Sequence, residues 1–112
     1  MLIAETLTVP LVDIGYSLWD LLITAGYTQE TLRDGRIAGF SIQRGSADLY
    51  LVKQPGPYTS ATGNVPDRCG RIINAASPTF QQTQHPANQF ALREICVGGD
   101  AASTTFYCWA LS

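Results

Sequence analysis

The side chains best suited to chemistry are few in this chain and lie far apart. His85 is the one histidine, and it stands beside Pro86 in a polar stretch with no cysteine nearby. A zinc site needs several nitrogen or sulfur ligands at close spacing, so no metal site is expected. The sequence contains neither a nucleophile elbow nor a glycine-rich phosphate loop. A Ser–His–Asp triad assembled from distant positions stays open, because triads need no fixed spacing.

The acidic residues show no pairing typical of acid–base catalysis. Asp20 suits the first turn of a helix, and Asp34 and Asp100 stand beside glycines in turns. Carboxylates in such places are solvated or cap the backbone. We therefore predict a protein that is not an enzyme, with no catalytic residue and no cofactor.

The chain has three cysteines, Cys69, Cys96 and Cys108, and no CxxC pair. Reduced, partly buried thiols are the first interpretation. The alternative is a Cys96–Cys108 disulfide across a hairpin at the end of the chain.

Aromatic residues suggest one binding chemistry. A sugar-stacking platform, as in carbohydrate-binding sandwiches, would draw on five of them: Trp19, Tyr58, Phe80, Tyr107 and Trp109. Most of them could equally belong to the core. A lectin-like domain is therefore an alternative and not the first hypothesis.

The residues around which the chain is organised are 37–52, which read as a β-hairpin. Gly45-Ser46 has the composition of a two-residue type II′ turn. Folding the chain there would put large apolar side chains on one face, those of Phe40, Ile42, Leu49 and Leu51. The other face, with Ser41, Gln43, Asp48 and Tyr50, would be wet.

A second hairpin is predicted at the end of the chain. Residues 90–97 and 104–111 are rich in β-forming types and flank a turn over 98–103. The turn is too long to define the register. One register faces Cys96 with Cys108, and another pairs Arg93 with Trp109 in a cation–π contact.

One short helix is predicted over residues 16–26. Ser17 suits the N-cap, and Gly26 suits the left-handed residue that ends a helix. An apolar stripe follows helical spacing through Leu18, Leu21, Leu22 and Ala25. Trp19 lies off this stripe, where it covers a core edge or faces a partner; we expect the core edge.

The remaining residues add short strands and loops. Residues 1–14 form an edge strand or an extended arm, and 28–35 form a polar turn with at most one helical turn. Residues 54–66 are a loop, a short strand is expected about Ile72 and Ile73, and 75–89 read as a long exposed loop carrying Phe80. The predicted fold is one all-β domain over 1–112, an antiparallel β-sandwich or small jelly-roll-like barrel with one short N-terminal helix.

Charge and composition exclude several partners. Charged residues make up 14% of the chain, against about 25% in typical globular domains, and the net charge is −2. The basic residues are scattered, whereas nucleic-acid binding needs a clustered basic surface. No apolar run approaches the length that spans a bilayer, and the first residues lack the features of a signal peptide. We expect neither a nucleic-acid nor a membrane partner.

Four segments resemble the small β-rich virion proteins of tailed bacteriophages, among them capsid decoration (cement) proteins. They are Ser-Leu-Trp-Asp-Leu-Leu-Ile-Thr-Ala-Gly-Tyr at 17–27, Ile-Ala-Gly-Phe-Ser-Ile-Gln with Ala-Asp-Leu-Tyr-Leu at 37–51, Ser-Ala-Thr-Gly at 60–63, and Ala-Leu-Arg-Glu-Ile-Cys-Val-Gly-Gly-Asp-Ala-Ala-Ser-Thr-Thr-Phe-Tyr at 91–107. Together they cover about two fifths of the chain. Residues 67–89 depart from the pattern, because similar proteins tend to have a short turn there.

The resemblance implies a non-enzymatic virion protein, assembled in the host cytoplasm, that binds the major capsid protein or other virion proteins. Such proteins are symmetric oligomers, with a trimer favoured. A tail, baseplate or spike module that contacts host glycans is the alternative. The arm and the long loop are then the expected contacts, through Leu2, Ile3 and Phe80, and Tyr58 of the 54–66 loop is a further expected contact.

Overall fold

The computed structural model describes residues 2–57, 68–83 and 89–111, with the backbone alone for 68–71. In chain order the strands are β1 (Leu2–Val9), β2 (Ile14–Ser17), β3 (Arg36–Ile37), β4 (Gly39–Arg44), β5 (Leu49–Val52), β6 (Gly56–Pro57), β7 (Arg68–Ile73), β8 (Thr79–Thr83), β9 (Phe90–Ala91), β10 (Cys96–Gly99) and β11 (Thr104–Leu111). The helices are α1 (Leu18–Thr24), α2 (Gln29–Leu32) and a 3-10 helix at Leu92–Glu94. No helix in the described ranges is long and apolar enough to cross a membrane.

The strands form two main antiparallel sheets and one small one. The first has four strands in the order β1-β11-β4-β8, and the second has five in the order β6-β2-β10-β5-β7. Strands β3 and β9 form the third, two-stranded sheet. The prediction of an all-β protein with a short N-terminal helix is confirmed.

One hydrophobic cluster receives side chains from both main sheets and from α1. The four-stranded sheet contributes large residues such as Ile3, Ile42 and Phe106, all fully buried. The five-stranded sheet contributes Leu49 and Val97 among others. Since a sheet must bury its apolar face against another element, this shared cluster is what holds the two sheets together.

The predicted hairpin over 37–52 is wrong, although both of its strands exist. Strand β4 pairs with β11 and β8, whereas β5 pairs with β10 and β7 in the other sheet. Gly45 lies where the chain crosses between the sheets, and an added Cβ would stand 2.4 Å from the Thr105 carbonyl oxygen. The Ser46 N–H donates to that oxygen at 3.1 Å, and Ser46 Oγ accepts from the Thr105 N–H at 2.9 Å. The glycine serves close backbone approach and not a type II′ turn.

The prediction that the second face of that hairpin is exposed to solvent is also partly wrong. Tyr50 is buried in a second small cluster with Val52 and Cys96, and its hydroxyl donates to Asp100 Oδ1 at 2.8 Å. The hydrogen bond supplies the polar partner that a buried phenol needs. Strand β5 therefore packs on both faces.

The predicted terminal hairpin is wrong for the same reason. Strand β10 pairs with β2 and β5, and β11 pairs with β1 and β4, so the two strands lie in different sheets. Cys96 and Cys108 are both buried and are not bridged to each other. Arg93 stacks on Trp19, with its guanidinium carbon 3.8 Å from the ring centroid, and not on Trp109.

The helix prediction is confirmed at both ends. Ser17 Oγ accepts a hydrogen bond from the Asp20 N–H at 3.1 Å, which satisfies one of the free donors of the first turn. Gly26 has a φ of +112° just past the last turn. Trp19 is buried at the edge of the core, as expected, but Ala25 is exposed, so the apolar stripe is shorter than predicted.

Two flanking regions are strands. The edge-strand interpretation of the N-terminus is correct and the arm is not, because β1 pairs along its whole length with β11. Within 75–89, β8 pairs with β4, so a continuous loop is wrong. The strand about Ile73 is confirmed as β7. Within the loop predicted over 54–66, Gly56–Pro57 form strand β6. Residues 58–66 and His85 lie outside the described residues.

Candidate functional site

The four-stranded sheet has one face in the core and one in solvent. Along β1 and β11 the buried residues alternate with exposed ones, as the period of a strand requires. We call the solvent side the outer face, and its residues are Leu2, Ala4, Thr6, Thr8, Ser41, Gln43, Thr79, Gln81, Thr83, Thr105, Tyr107, Trp109 and Leu111.

The register of the strands arranges the outer face around two aromatic side chains. On one side, Ala4 lies opposite Trp109 and Thr6 lies opposite Tyr107. On the other side, Trp109 lies opposite Ser41, and Tyr107 lies opposite Gln43. The rings therefore have small side chains on their β1 side and polar groups on their β4 side.

These rings are unusually available to a partner. Tyr107 is 49% exposed and Trp109 is 46% exposed. Eight large hydrophobic residues are exposed in the described ranges. Four of them lie on the outer face: Leu2, Tyr107, Trp109 and Leu111. Aromatic side chains bury more area on contact than any others, so a partner seated here would gain most from these rings.

No residue of the outer face carries a charge. The charged residues of these strands are Glu5 and Arg44. Both occupy the alternate positions of their strands, which belong to the other face of the sheet. The Glu5 carboxylate accepts a hydrogen bond from the Tyr27 hydroxyl at 3.2 Å, and Arg44 Nε donates to Asp48 Oδ1 at 2.9 Å. Depletion of charge with exposed aromatic rings is the composition of a protein interface core.

Two shallow depressions adjoin Trp109. The first, of 430 Å³, lies between β1 and β4, where Thr6, Gln43 and Tyr107 contribute to its lining. The second, of 300 Å³, lies on the β8 side, with Gln81 and Thr83. Hydroxyl and amide groups next to the indole allow hydrogen bonds as well as stacking.

A larger cleft of 720 Å³ lies beside α2 but has a different character. It is lined by two acidic and two basic residues, Glu30, Arg33, Asp34 and Arg36, with three neutral neighbours. Opposite charges in equal number produce no net attraction for a charged ligand. The outer face is the stronger candidate site.

Of the four described residues of the predicted aromatic platform, the structure brings together two. Tyr107 and Trp109 are neighbours on β11, whereas Trp19 is buried beneath Arg93. Phe80 is half-buried, with its ring centroid 6.0 Å from that of Phe40, so it is not the exposed anchor that we expected. Tyr58 lies outside the described residues.

The two partner contacts predicted in β1 differ in their exposure to solvent. Ile3 is completely buried, which corrects its prediction as an exposed partner contact. Leu2 is 57% exposed and stays a predicted contact at the corner of the outer face. The outer face as a unit is not among the sequence predictions. The available signal was β11, which is apolar at consecutive positions and so offers apolar groups to both faces.

The described part of the chain holds no group of three or more His, Cys, Asp or Glu side chains placed to bind a metal ion. Burial raises the pKa of the Cys108 thiol to about 12, so it stays protonated near neutral pH. Burial, with the Glu5 carboxylate, also raises the pKa of Tyr27. Comparison of the chain with protein families, with curated proteins and with solved structures found no match.

Proposed function

We propose that this protein is a non-enzymatic virion structural protein that binds the outer surface of a capsid through its outer face. The observation that carries the proposal is the uncharged face of the four-stranded sheet, with Tyr107 and Trp109 half exposed at its centre. Exposed aromatic rings that are surrounded by uncharged polar residues are typical of a surface that a partner covers. The resemblance to capsid decoration proteins supplies the class of partner.

We infer that the two main sheets pack face to face as a sandwich. Strands β1 and β8 stay at the edges of the first sheet, and β6 and β7 stay at the edges of the second. A closed barrel has no such edges, because its first and last strands pair. In such a sandwich the outer face of the four-stranded sheet is available for contact.

The size of the outer face favours binding by several copies. Four strands about 4.8 Å apart and about 24 Å long present roughly 450 Å². A standard interface buries about 800 Å² on each partner, so one face alone gives weak binding. Joined copies would bind far more tightly through avidity. This agrees with the symmetric oligomer that the resemblance implies.

The first test is the composition of purified particles. Virions of the phage that encodes the chain should contain it in many copies, measured by mass spectrometry and quantitative gel densitometry. Absence of the protein from the particle would overturn the proposal.

The second test is binding of the purified protein to particles that lack it. Trp109→Ala should weaken binding by about 30-fold, because central aromatic residues contribute about 2 kcal/mol or more. Ile72→Ala is the matched control, since Ile72 is 43% exposed but lies on the other main sheet. Equal affinity of both variants with the unmodified protein would exclude the outer face.

A host glycan is the second candidate partner, within a tail, baseplate, spike or free-standing lectin-like protein. The observation that favours it is the adjacency of the Trp109 indole to the polar groups of Ser41, Gln43 and Gln81. Stacking beside hydrogen-bonding groups is how proteins hold sugars. Binding on a glycan array that Trp109→Ala abolishes, together with no affinity for capsids, would select this candidate over the first.

A further inference from the structure

Strand β1 is a long edge strand whose outer side is open. It pairs with β11 through eight consecutive residues, from Leu2 to Val9, without a register shift. Among the described residues, no backbone hydrogen bond reaches β1 from its other side. An open strand edge is a template for pairing with another chain.

The hydrogen bonds of the sheet reveal which groups of β1 point outward. The Arg44 N–H donates to the Pro78 oxygen, so the groups of Arg44 and of alternate residues in β4 point towards β8. Those of Ser41 and Gln43 then point towards β11. The same alternation continues through β11. The backbone N–H and C=O groups of Ile3, Glu5 and Leu7 in β1 therefore bond to β11.

The backbone groups left over on β1 belong to residues of the outer face. They are the N–H and C=O groups of Leu2, Ala4, Thr6 and Thr8, which point away from the sheet. The sheet therefore ends in a regular row of alternating donors and acceptors.

The usual protections of an edge are missing from this strand. Proteins block edges with proline, bulges or outward-pointing charges, especially lysine. Pro10 follows β1 and does not interrupt it, and the pairing with β11 has no bulge. The one charged side chain, Glu5, points to the inner side and is held by Tyr27.

We propose that β1 pairs antiparallel with β1 of a second copy of this chain, about a two-fold axis at Thr6. A two-fold axis makes a strand its own partner, and each outward donor then meets an acceptor. The side chains that meet across the axis are small and uncharged: Thr6 meets Thr6 of the second copy, and Ala4 meets Thr8. Threonine pairs across strands are favourable.

The charge of Glu5 favours this register over the neighbouring one, which has its two-fold axis at Glu5. An axis at Glu5 would add two hydrogen bonds but would place the two carboxylates about 5 Å apart at the inner edge. Repulsion at that distance in a partly buried site outweighs the added bonds. With the axis at Thr6, Glu5 lies opposite Leu7 of the second copy, and Ile3 lies opposite Val9.

Pairing would join two four-stranded sheets into one of eight strands and merge their outer faces. The two β11 strands would stand three strand spacings apart, so the two rows of Tyr107 and Trp109 would be about 14 Å apart. The resulting surface doubles the contact area and suits a repeating partner. The pairing does not depend on the identity of that partner.

The mass of the full chain in solution tests the proposal. Sedimentation over a concentration series should approach twice the 12.1 kDa of one chain. Thr6→Pro removes an outward N–H at the axis and keeps the bonds to β11, so it should shift the chain to monomer with its circular dichroism spectrum unchanged. Gln81→Pro is the matched control, because its N–H points outward from β8 at the opposite edge.

A monomer at all concentrations, a trimer, or a dimer lost in Gln81→Pro but kept in Thr6→Pro would overturn the proposal. A second measurement covers the case in which Thr6→Pro does not fold. Mild oxidation should cross-link Thr6→Cys with itself, because paired residues at the axis are within disulfide distance. Thr8→Cys should not cross-link, since Thr8 faces Ala4. Cross-linking of Thr8→Cys alone would contradict the register.

Discussion

The crossing at Gly45 decides that β4 and β5 lie in different sheets, and one substitution tests it. Gly45→Ala would place a methyl carbon 2.4 Å from the Thr105 oxygen and 2.9 Å from its carbonyl carbon. Both atoms belong to the backbone of β11 and cannot rotate away. The crossing must therefore shift, together with the two hydrogen bonds that join Ser46 to Thr105.

The expected loss of stability follows from these contacts. A forced shift in a packed region costs about 1–3 kcal/mol. Each strained hydrogen bond adds about 1 kcal/mol when it is lost. We expect Gly45→Ala to lower the free energy of unfolding by about 2–4 kcal/mol, in a chain whose total is typically about 5–15 kcal/mol.

Urea unfolding followed by circular dichroism measures this loss as a lower midpoint with an unchanged slope. Gly45→Asn separates the two explanations of the glycine. A turn residue at positive φ would accept asparagine better than alanine, whereas close approach to Thr105 penalises both. If Gly45→Asn kept its stability while Gly45→Ala lost it, the crossing would be wrong. Gly26→Ala is the control for backbone strain without a close contact, because φ is +112° there and nothing lies within 4 Å of the added methyl.

Three further predictions concern single contacts. Ser17→Ala should lower the free energy of unfolding by about 1 kcal/mol, because the Asp20 N–H loses its acceptor; Ser17→Thr should restore most of it in the same denaturation assay. Cys108 should resist thiol reagents at pH 8 until the chain unfolds. Above pH 9 the unfolded chain releases this thiol proton while the folded chain keeps it up to about pH 12, so stability should fall between those values in a pH series of thermal melts. Arg93→Met should cost about 0.5–1 kcal/mol by removing the cation over Trp19 while keeping an apolar stem, and an unchanged melting temperature would show that the contact contributes nothing.

The outer face is a candidate site that leaves no motif in the sequence. Its members are spread over four strands, from Leu2 to Leu111, and none of them is a catalytic type. They become a site only because the register aligns them. A binding surface of this kind has a composition but no motif.

Local patterns predict the structure correctly at the ends of α1 and on the buried side of β4. Ser17 and Gly26 mark the ends of α1, and both have the geometry that their types predict. Alternation identified the buried side of β4 through Phe40 and Ile42. Short-range rules succeed here because caps and side-chain periodicity involve neighbours along the chain.

By itself the sequence determined the kind of protein: a weakly charged, all-β chain with one capped helix near its start. Tertiary structure decided which strands are neighbours, and so where the exposed rings of β11 and the open edge of β1 lie. The physical reason is that backbone donors and acceptors are the same in every strand. Alternating side chains say which face is buried but not which strand pairs with which, and that choice depends on how both sheets fill one core. Gly45 resembles a turn in sequence, and only the carbonyl of Thr105, 60 positions further along, shows that it is a crossing.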